Sequence, residues 1–192
     1  MKTLDALPQL TTTRLVMTIP GPDDAQTMVQ YFLDNRQHLA PWDPPHPDGF
    51  YTEPFWRKQL SFAQRDFQQG RSVRLALRRR EEPDGPIIGR VSFSNIVRGA
   101  FQSCYLGYSV DHRFEGRGYM SEALRCAVDY TFEELKLHRI QANYIPTNER
   151  SGLLLRRLGF NVEGYARDYL FINGAWRDHI MTARLNPALK SL

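Results

Sequence analysis

One stretch constrains this chain more than any other: Tyr108-Ser109-Val110-Asp111-His112-Arg113-Phe114-Glu115-Gly116-Arg117-Gly118-Tyr119-Met120. A β-patterned run ends at Val110, Arg-x-x-Gly-x-Gly follows, and a helical pattern begins at once. Glycines let backbone amides approach an anion with no Cβ in the way. The first free N–H groups of the helix point into the same space, and the helix dipole adds partial positive charge there. Arg113 and Arg117 are expected to add side-chain charge. A tight turn that uses glycine for conformation alone also fits this spacing. The pattern is not a Walker loop, because no Gly-Lys-Ser/Thr ends it, and it is not a Gly-x-Gly-x-x-Gly fingerprint after an early strand. A pyrophosphate cradled by backbone amides is the natural occupant.

The rest of the chain supplies the frame. Residues 13–19 alternate as a first strand, and 22–35 read as a helix with Ala25, Met28, Val29 and Phe32 on one face. Four prolines in residues 40–49 exclude a regular helix there. A second helix is expected over 52–70 and strands over 73–77, 87–96 and 104–110. Residues 121–136 carry Leu124, Ala127, Val128 and Thr131 at helical spacing, a core stripe. A strand over 138–145, a helix over 148–158 and strands over 160–172 and 176–185 follow. The last two are joined at Asn173-Gly174, a hairpin turn signal. Interleaved hairpins and crossovers predict an α/β (α+β) fold: one domain over residues 1–192, with a mixed, largely antiparallel sheet of about seven strands and four flanking helices.

Composition sets the function classes. Lys plus Arg number 25 against 21 Asp plus Glu, a net charge of +4. That small excess suits an anionic ligand and gives no reason to expect direct DNA binding. No apolar window spans a membrane, and residues 1–10 lack a signal-peptide pattern, so a cytoplasmic location is expected. Cys104 and Cys126 are expected as free thiols, and no His/Cys cluster has a metal-ligand spacing, so no metal is expected. Arg78-Arg79-Arg80 reads as a solvated strand end and loop; an RNA contact is the competing reading.

Several runs beyond the glycine loop are informative in order: Gly107-Tyr108, Gly118-Tyr119-Met120-Ser121-Glu122-Ala123-Leu124, Leu137-His138-Arg139-Ile140, Asn148-Glu149-Arg150-Ser151, Leu158-Gly159-Phe160 and Glu163-Gly164. Together they resemble the GCN5-related N-acetyltransferases, and within them the branch that acetylates ribosomal-protein N-termini. The resemblance covers nearly the whole chain. Pro41-Trp42, the run from Phe93 to Phe101 and Gly174-Ala175-Trp176-Arg177-Asp178-His179 point within that branch to acetylation of the N-terminal alanine of the fifth small-subunit ribosomal protein. Partners implied are therefore that N-terminus as acceptor, with transient ribosome association, and no membrane.

The resemblance implies acetyl-CoA as cosubstrate, lying in a gap where the sheet splays between its fourth and fifth strands, 104–110 and 138–145. It implies that Tyr108, Ser109 and Val110 flank the pantetheine arm. Arg113, Phe114, Glu115, Gly116, Arg117, Gly118, Tyr119 and Met120 take the pyrophosphate, and Asn148 and Ser151 lie near the sulfur. The amine attacks the thioester directly, and a backbone N–H stabilises the oxyanion. Many relatives place an acidic tyrosine where this chain has Leu155, so Ser151 is the implied proton donor, with helix-start hydrogen bonding as its competing role. Asp43 is the first candidate base; Glu53, Asp168 and Asp178 follow, the last as a structural ion pair with His179 first of all. Trp42, Phe93, Tyr105, Tyr144 and Tyr169 are candidate pocket walls, each with core packing as the competing role. Two other functions stay open: an acetyltransferase for a small amine, and a non-catalytic RNA-binding module with a basic face through Arg78, Arg79, Arg80 and Arg98.

Overall fold

A computed structural model describes residues 6–189. Strands β1 (Gln9–Thr11) and β2 (Leu15–Thr18) lead to helices α1 (Ala25–Asp34), α2 (Arg36–Leu39) and α3 (Glu53–Gln68). Then come β3 (Val73–Arg79), β4 (Gly89–Val97), β5 (Ser103–Val110), α4 (Tyr119–Glu133), β6 (Arg139–Tyr144), α5 (Glu149–Arg157), β7 (Asn161–Ile172) and β8 (Ala175–Leu185). The strands form one sheet in the order β1-β2-β3-β4-β5-β6-β8-β7.

The mixed sheet is as expected, with eight strands and five α-helices among the described residues rather than seven and four. The extra strand β1 has three residues, too few for alternation to register. The extra helix α2 is a single turn, separated from α1 where Asn35 leaves helical geometry at φ −104°, ψ 9°. Asn35 is fully buried; its Nδ2 donates to the Tyr31 carbonyl, and its Oδ1 accepts from the His112 backbone N–H at 2.9 Å. One polar side chain thus ties the end of α1 to the start of the glycine loop. At Asn173 and Gly174, φ is +49° and +76°, the pair of positive values a tight hairpin requires.

Every neighbouring pair is antiparallel except β5 and β6. Those two pair in parallel over three positions, Ser103↔Arg139, Cys104↔Ile140 and Tyr105↔Gln141, and go no further. The expected splay therefore opens beyond Tyr105; with β1 counted, it separates the fifth and sixth strands. Side-chain alternation gives the gap two different faces. Leu106 and Tyr108 of β5, with Ala142 and Tyr144 of β6, meet the α4 stripe of Ala123, Leu124, Ala127 and Val128. On the other face α1 and α3 pack through Tyr31, Phe32, Trp56 and Leu60.

Within the triple arginine, Arg80 is exposed as expected, but Arg78 departs from the expected solvation. Arg78 is buried, its Nη2 2.6 Å from Asp24 and its Nε donating to the Gly85 carbonyl. Arg79 pairs with Glu81 and Glu82, and Arg98 donates to the Leu135 carbonyl at 2.6 Å. Arg78, Arg79 and Arg98 are thus engaged within the fold while Arg80 stays exposed, which interrupts the continuous basic face that the RNA-binding reading needs.

Candidate active site

The glycine loop is braced from beneath by Asp111. Its carboxylate is fully buried and accepts from the Arg113 backbone at 2.8 Å and from Arg113 Nε and Nη2 at 2.9 and 2.5 Å. Burial pushes this carboxyl up, but the Arg113 and Asn35 hydrogen bonds outweigh it and hold it below its ordinary value. Arg113 Nη2 also reaches Asp34 at 3.1 Å. The Arg113 guanidinium is therefore committed to the fold. Arg117 carries its guanidinium over the Phe114 ring, 5.6 Å from the centroid. Contrary to expectation, Arg113 adds no free charge to the groove, whereas Arg117 is exposed beside it and among the described residues makes no ion pair.

The backbone of the loop is also open to an anion. Gly116 and Gly118 have φ of +70° and +79°, and Gly118 is the N-cap of α4. Among the described residues, the N–H groups of Gly116, Arg117, Gly118, Tyr119, Met120 and Ser121 donate to no protein acceptor. A run of unpaired amides at the N-terminus of a 15-residue helix is a built anion cradle. Glu122 fastens that first turn to the N-terminal segment, accepting from Thr12 Oγ1 at 2.6 Å and from Arg14 N and Nε at 2.8 and 2.7 Å.

From this loop a groove of about 1150 Å³ runs into the β5–β6 gap, lined by Tyr108, Ser109, Val110, Phe114, Glu115, Tyr119, Met120, Asn148 and Ser151 among others. Deep in it, Tyr108 Oη and Ser151 Oγ lie 2.6 Å apart. Burial pushes the Tyr108 phenol up to about 12, more than the Ser151 hydrogen bond lowers it. Asn148 lines the groove with its Oδ1 already engaged, capping α5 by accepting from the Ser151 N–H at 3.1 Å. Gly152 lies under the Tyr144 ring, where a Cβ would come within 2.8 Å, so glycine there lets the ring close down on α5.

The opposite mouth of the groove is made of side chains. Trp42 and Asp43 come from the proline-rich loop, Asn143 from β6 and His179 from β8. Burial raises the Asp43 carboxyl, while Arg90 and His46 (Nε2 at 3.7 Å) pull it back. Tyr31 Oη bonds Ser109 Oγ at 2.9 Å beside this group. Tyr169 accepts from Asn143 Nδ2 at 3.2 Å, and burial and Tyr105 raise its phenol. Phe93 does not belong here: it is wholly buried, opposite Leu106 in the α4-side core, because its register turns it away from the gap. Glu53 pairs with Arg57 on exposed α3, and Asp178 accepts from Tyr165 Oη at 2.5 Å and from the Asp168 N–H at 2.9 Å, holding a β-bulge. That hydrogen bonding replaces the expected ion pair with His179. Asn143, Tyr31 and Arg90 were not singled out by any sequence pattern; His179 stood only as a neighbour of Asp178.

This arrangement, an amide-lined anion cradle opening into a splayed parallel pair, has a counterpart in known proteins. A family model described as an acetyltransferase (GNAT) domain matches residues 14–161. The chain belongs to the GNAT acetyltransferase family. This GNAT chain is 44% identical over 179 residues to the [ribosomal protein uS5]-alanine N-acetyltransferase of Escherichia coli (strain K12), covering 93% of this chain and 91% of that protein. It matches the crystal structure of ribosomal-protein-S5-alanine acetyltransferase from Vibrio fischeri with a TM-score of 0.90 and 38% identity, covering 96% of this chain and all of that one. Mycobacterium smegmatis RimJ in complex with CoA-disulfide superposes with a TM-score of 0.84 at 27% identity, covering 96% and 89% of the two chains.

Proposed function

We propose that this GNAT protein transfers the acetyl group of acetyl-CoA to the α-amine of a protein beginning with alanine, ribosomal protein uS5 first among them. The acceptor N-terminus is presented at the ribosome or on the free subunit protein, in the cytoplasm. The observation that carries the reading is near-full-length similarity to the uS5-alanine enzyme, together with a groove whose two mouths suit a pyrophosphate and an amine.

Acetyl-CoA supplies the acyl group as an activated thioester. The amides of Gly116 to Ser121 are suited to hold its pyrophosphate. On the β6 side, β5 beyond Tyr105 has no strand partner, which leaves backbone at Tyr108, Ser109 and Val110 for the pantetheine arm. The proton donor to the departing thiolate is the Tyr108–Ser151 pair rather than Ser151 alone. A phenol held at about 12 stays protonated at neutral pH, and Ser151 at 2.6 Å can orient it or pass its proton on. Trp42 walls the acceptor mouth and favours a small first side chain. An α-amine has a pKa of about 7.7–8, so part of it is neutral at pH 7, whereas a lysine amine at about 10.4 is nearly all charged.

Fragmentation mass spectrometry of a uS5 N-terminal peptide after incubation with acetyl-CoA tests this reading. An acetyl group on the alanine α-nitrogen supports it. Acetylated polyamine or internal lysine, with the Ala-initial terminus untouched, would move the protein to another acceptor class and leave its donor chemistry standing.

A further inference from the structure

His179 is only 3% exposed, yet it lines the groove. Its Nδ1 lies 3.0 Å from the Arg177 carbonyl oxygen. A carbonyl only accepts, so Nδ1 carries a hydrogen, and in the neutral ring Nε2 is the acceptor. Next to it is a second unfilled acceptor. Asn143 spends its Nδ2 on Tyr169, while its Oδ1 is buried with no hydrogen-bond partner. The β6–β8 register pairs Asn143 with Met181, so alternation puts Asn143, Met181 and His179 on one face of the sheet. The Tyr169 ring, 5.2 Å from the imidazole by centroids, bridges them. A buried acceptor without a donor, as Asn143 Oδ1 is, is costly, and beside a groove-lining imidazole it calls for a ligand rich in N–H. Asp43 is a poorer fit, because it already faces His46 and Arg90.

We infer that His179 is the general base of the reaction and that Asn143 Oδ1 seats the attacking amine. The inference rests on the acetyl-transfer reading, but not on which amine is the acceptor. The neutral amine donates one N–H to Asn143 Oδ1 and one to His179 Nε2. As the N–C bond forms and the C–S bond breaks, the nitrogen's surplus proton passes to His179 Nε2. The thiolate takes the phenolic proton of Tyr108. Solvent then removes one proton from His179 and returns one to Tyr108, so both groups end as they began.

The test uses the full chain and whichever amine the wild-type protein acetylates, so a wrong acceptor assignment shows first as an inactive peptide in the wild type. His179→Gln is expected to lower kcat about 10²-fold, the usual size of lost general-base help, with CoA affinity within twofold of wild type. Added imidazole is expected to restore His179→Ala at least about tenfold, a response that a merely structural histidine would not give. A CoA-binding His179→Gln protein with kcat within about threefold of wild type, and no imidazole response, overturns the inference. Should both variants fail to bind CoA, Asn143→Ser carries the test: about a tenfold rise in amine KM is expected, and an unchanged KM overturns the amine seat.

Discussion

On the donor side of the β5–β6 gap, the groups free to meet a ligand are largely backbone: the amides of one consecutive run, Gly116 to Ser121, and the unpaired edge of β5 beyond Tyr105. On the acceptor side they are side chains from four separate segments: the Trp42 loop, β5, β6 and the β7–β8 hairpin. Backbone recognition tolerates many side chains and demands only positive φ at two glycines. Side-chain recognition depends on register across strands distant in the sequence. The donor mouth is thus suited to a ligand shared across a family, and the acceptor mouth to one that can change among relatives.

The largest expected effect lies where the two mouths meet. Tyr108→Phe removes the phenolic proton and is expected to lower kcat about 10²-fold or more, with CoA affinity little changed. Ser151→Ala, which leaves the phenol in place but unbonded, should cost less. If Ser151→Ala alone matched the full loss, the serine and not the tyrosine would be the terminal donor. Because burial holds this phenol at about 12, wild-type kcat should show no alkaline fall from its ionisation up to about pH 10. A steady-state pH profile checks this.

The same contrast explains what could be read before any coordinates. The glycine loop, the α4 stripe and the Asn173-Gly174 turn are local signals, each written in consecutive or helically spaced residues, and each was legible. The Tyr108–Ser151 contact joins residues 43 positions apart, and Asn143 meets Tyr169 across 26. Phe93 looked like a pocket wall because its type is right, but strand register turned it into the core. Arg113 looked like an anion ligand because the loop carries it, but a wholly buried Asp111 claims it.

Next in size is the donor loop itself. Gly118→Val forces a β-branched residue to φ +79° and is expected to raise the CoA dissociation constant at least about tenfold, measured by titration calorimetry. Asp111→Asn acts one layer further out. Removing a buried charge partner costs about 3–5 kcal/mol in general, and the half-exposed Arg113 reduces that to about 2 kcal/mol here. Thermal denaturation at pH 7 should show a Tm lower by about 4–8 °C. The sign with pH follows from the depressed Asp111 pKa: its stabilisation is present above the ordinary carboxyl value and lost as pH falls below it. The gap between wild type and variant should therefore close in acid below about pH 4. Smallest is Trp42→Ala, which opens a part-exposed wall and should raise peptide KM a few-fold, on the order of 1 kcal/mol.

The most direct test of the division between the two mouths crosses these last variants. CoA dissociation constants and peptide KM at saturating acetyl-CoA are measured for Gly118→Val and Trp42→Ala side by side. Gly118→Val is expected to raise the CoA constant about tenfold and leave peptide KM within about twofold, and Trp42→Ala to raise peptide KM a few-fold and leave the CoA constant within about twofold. Both constants moving together in either folded variant would contradict that division, because donor and acceptor would then share one set of contacts.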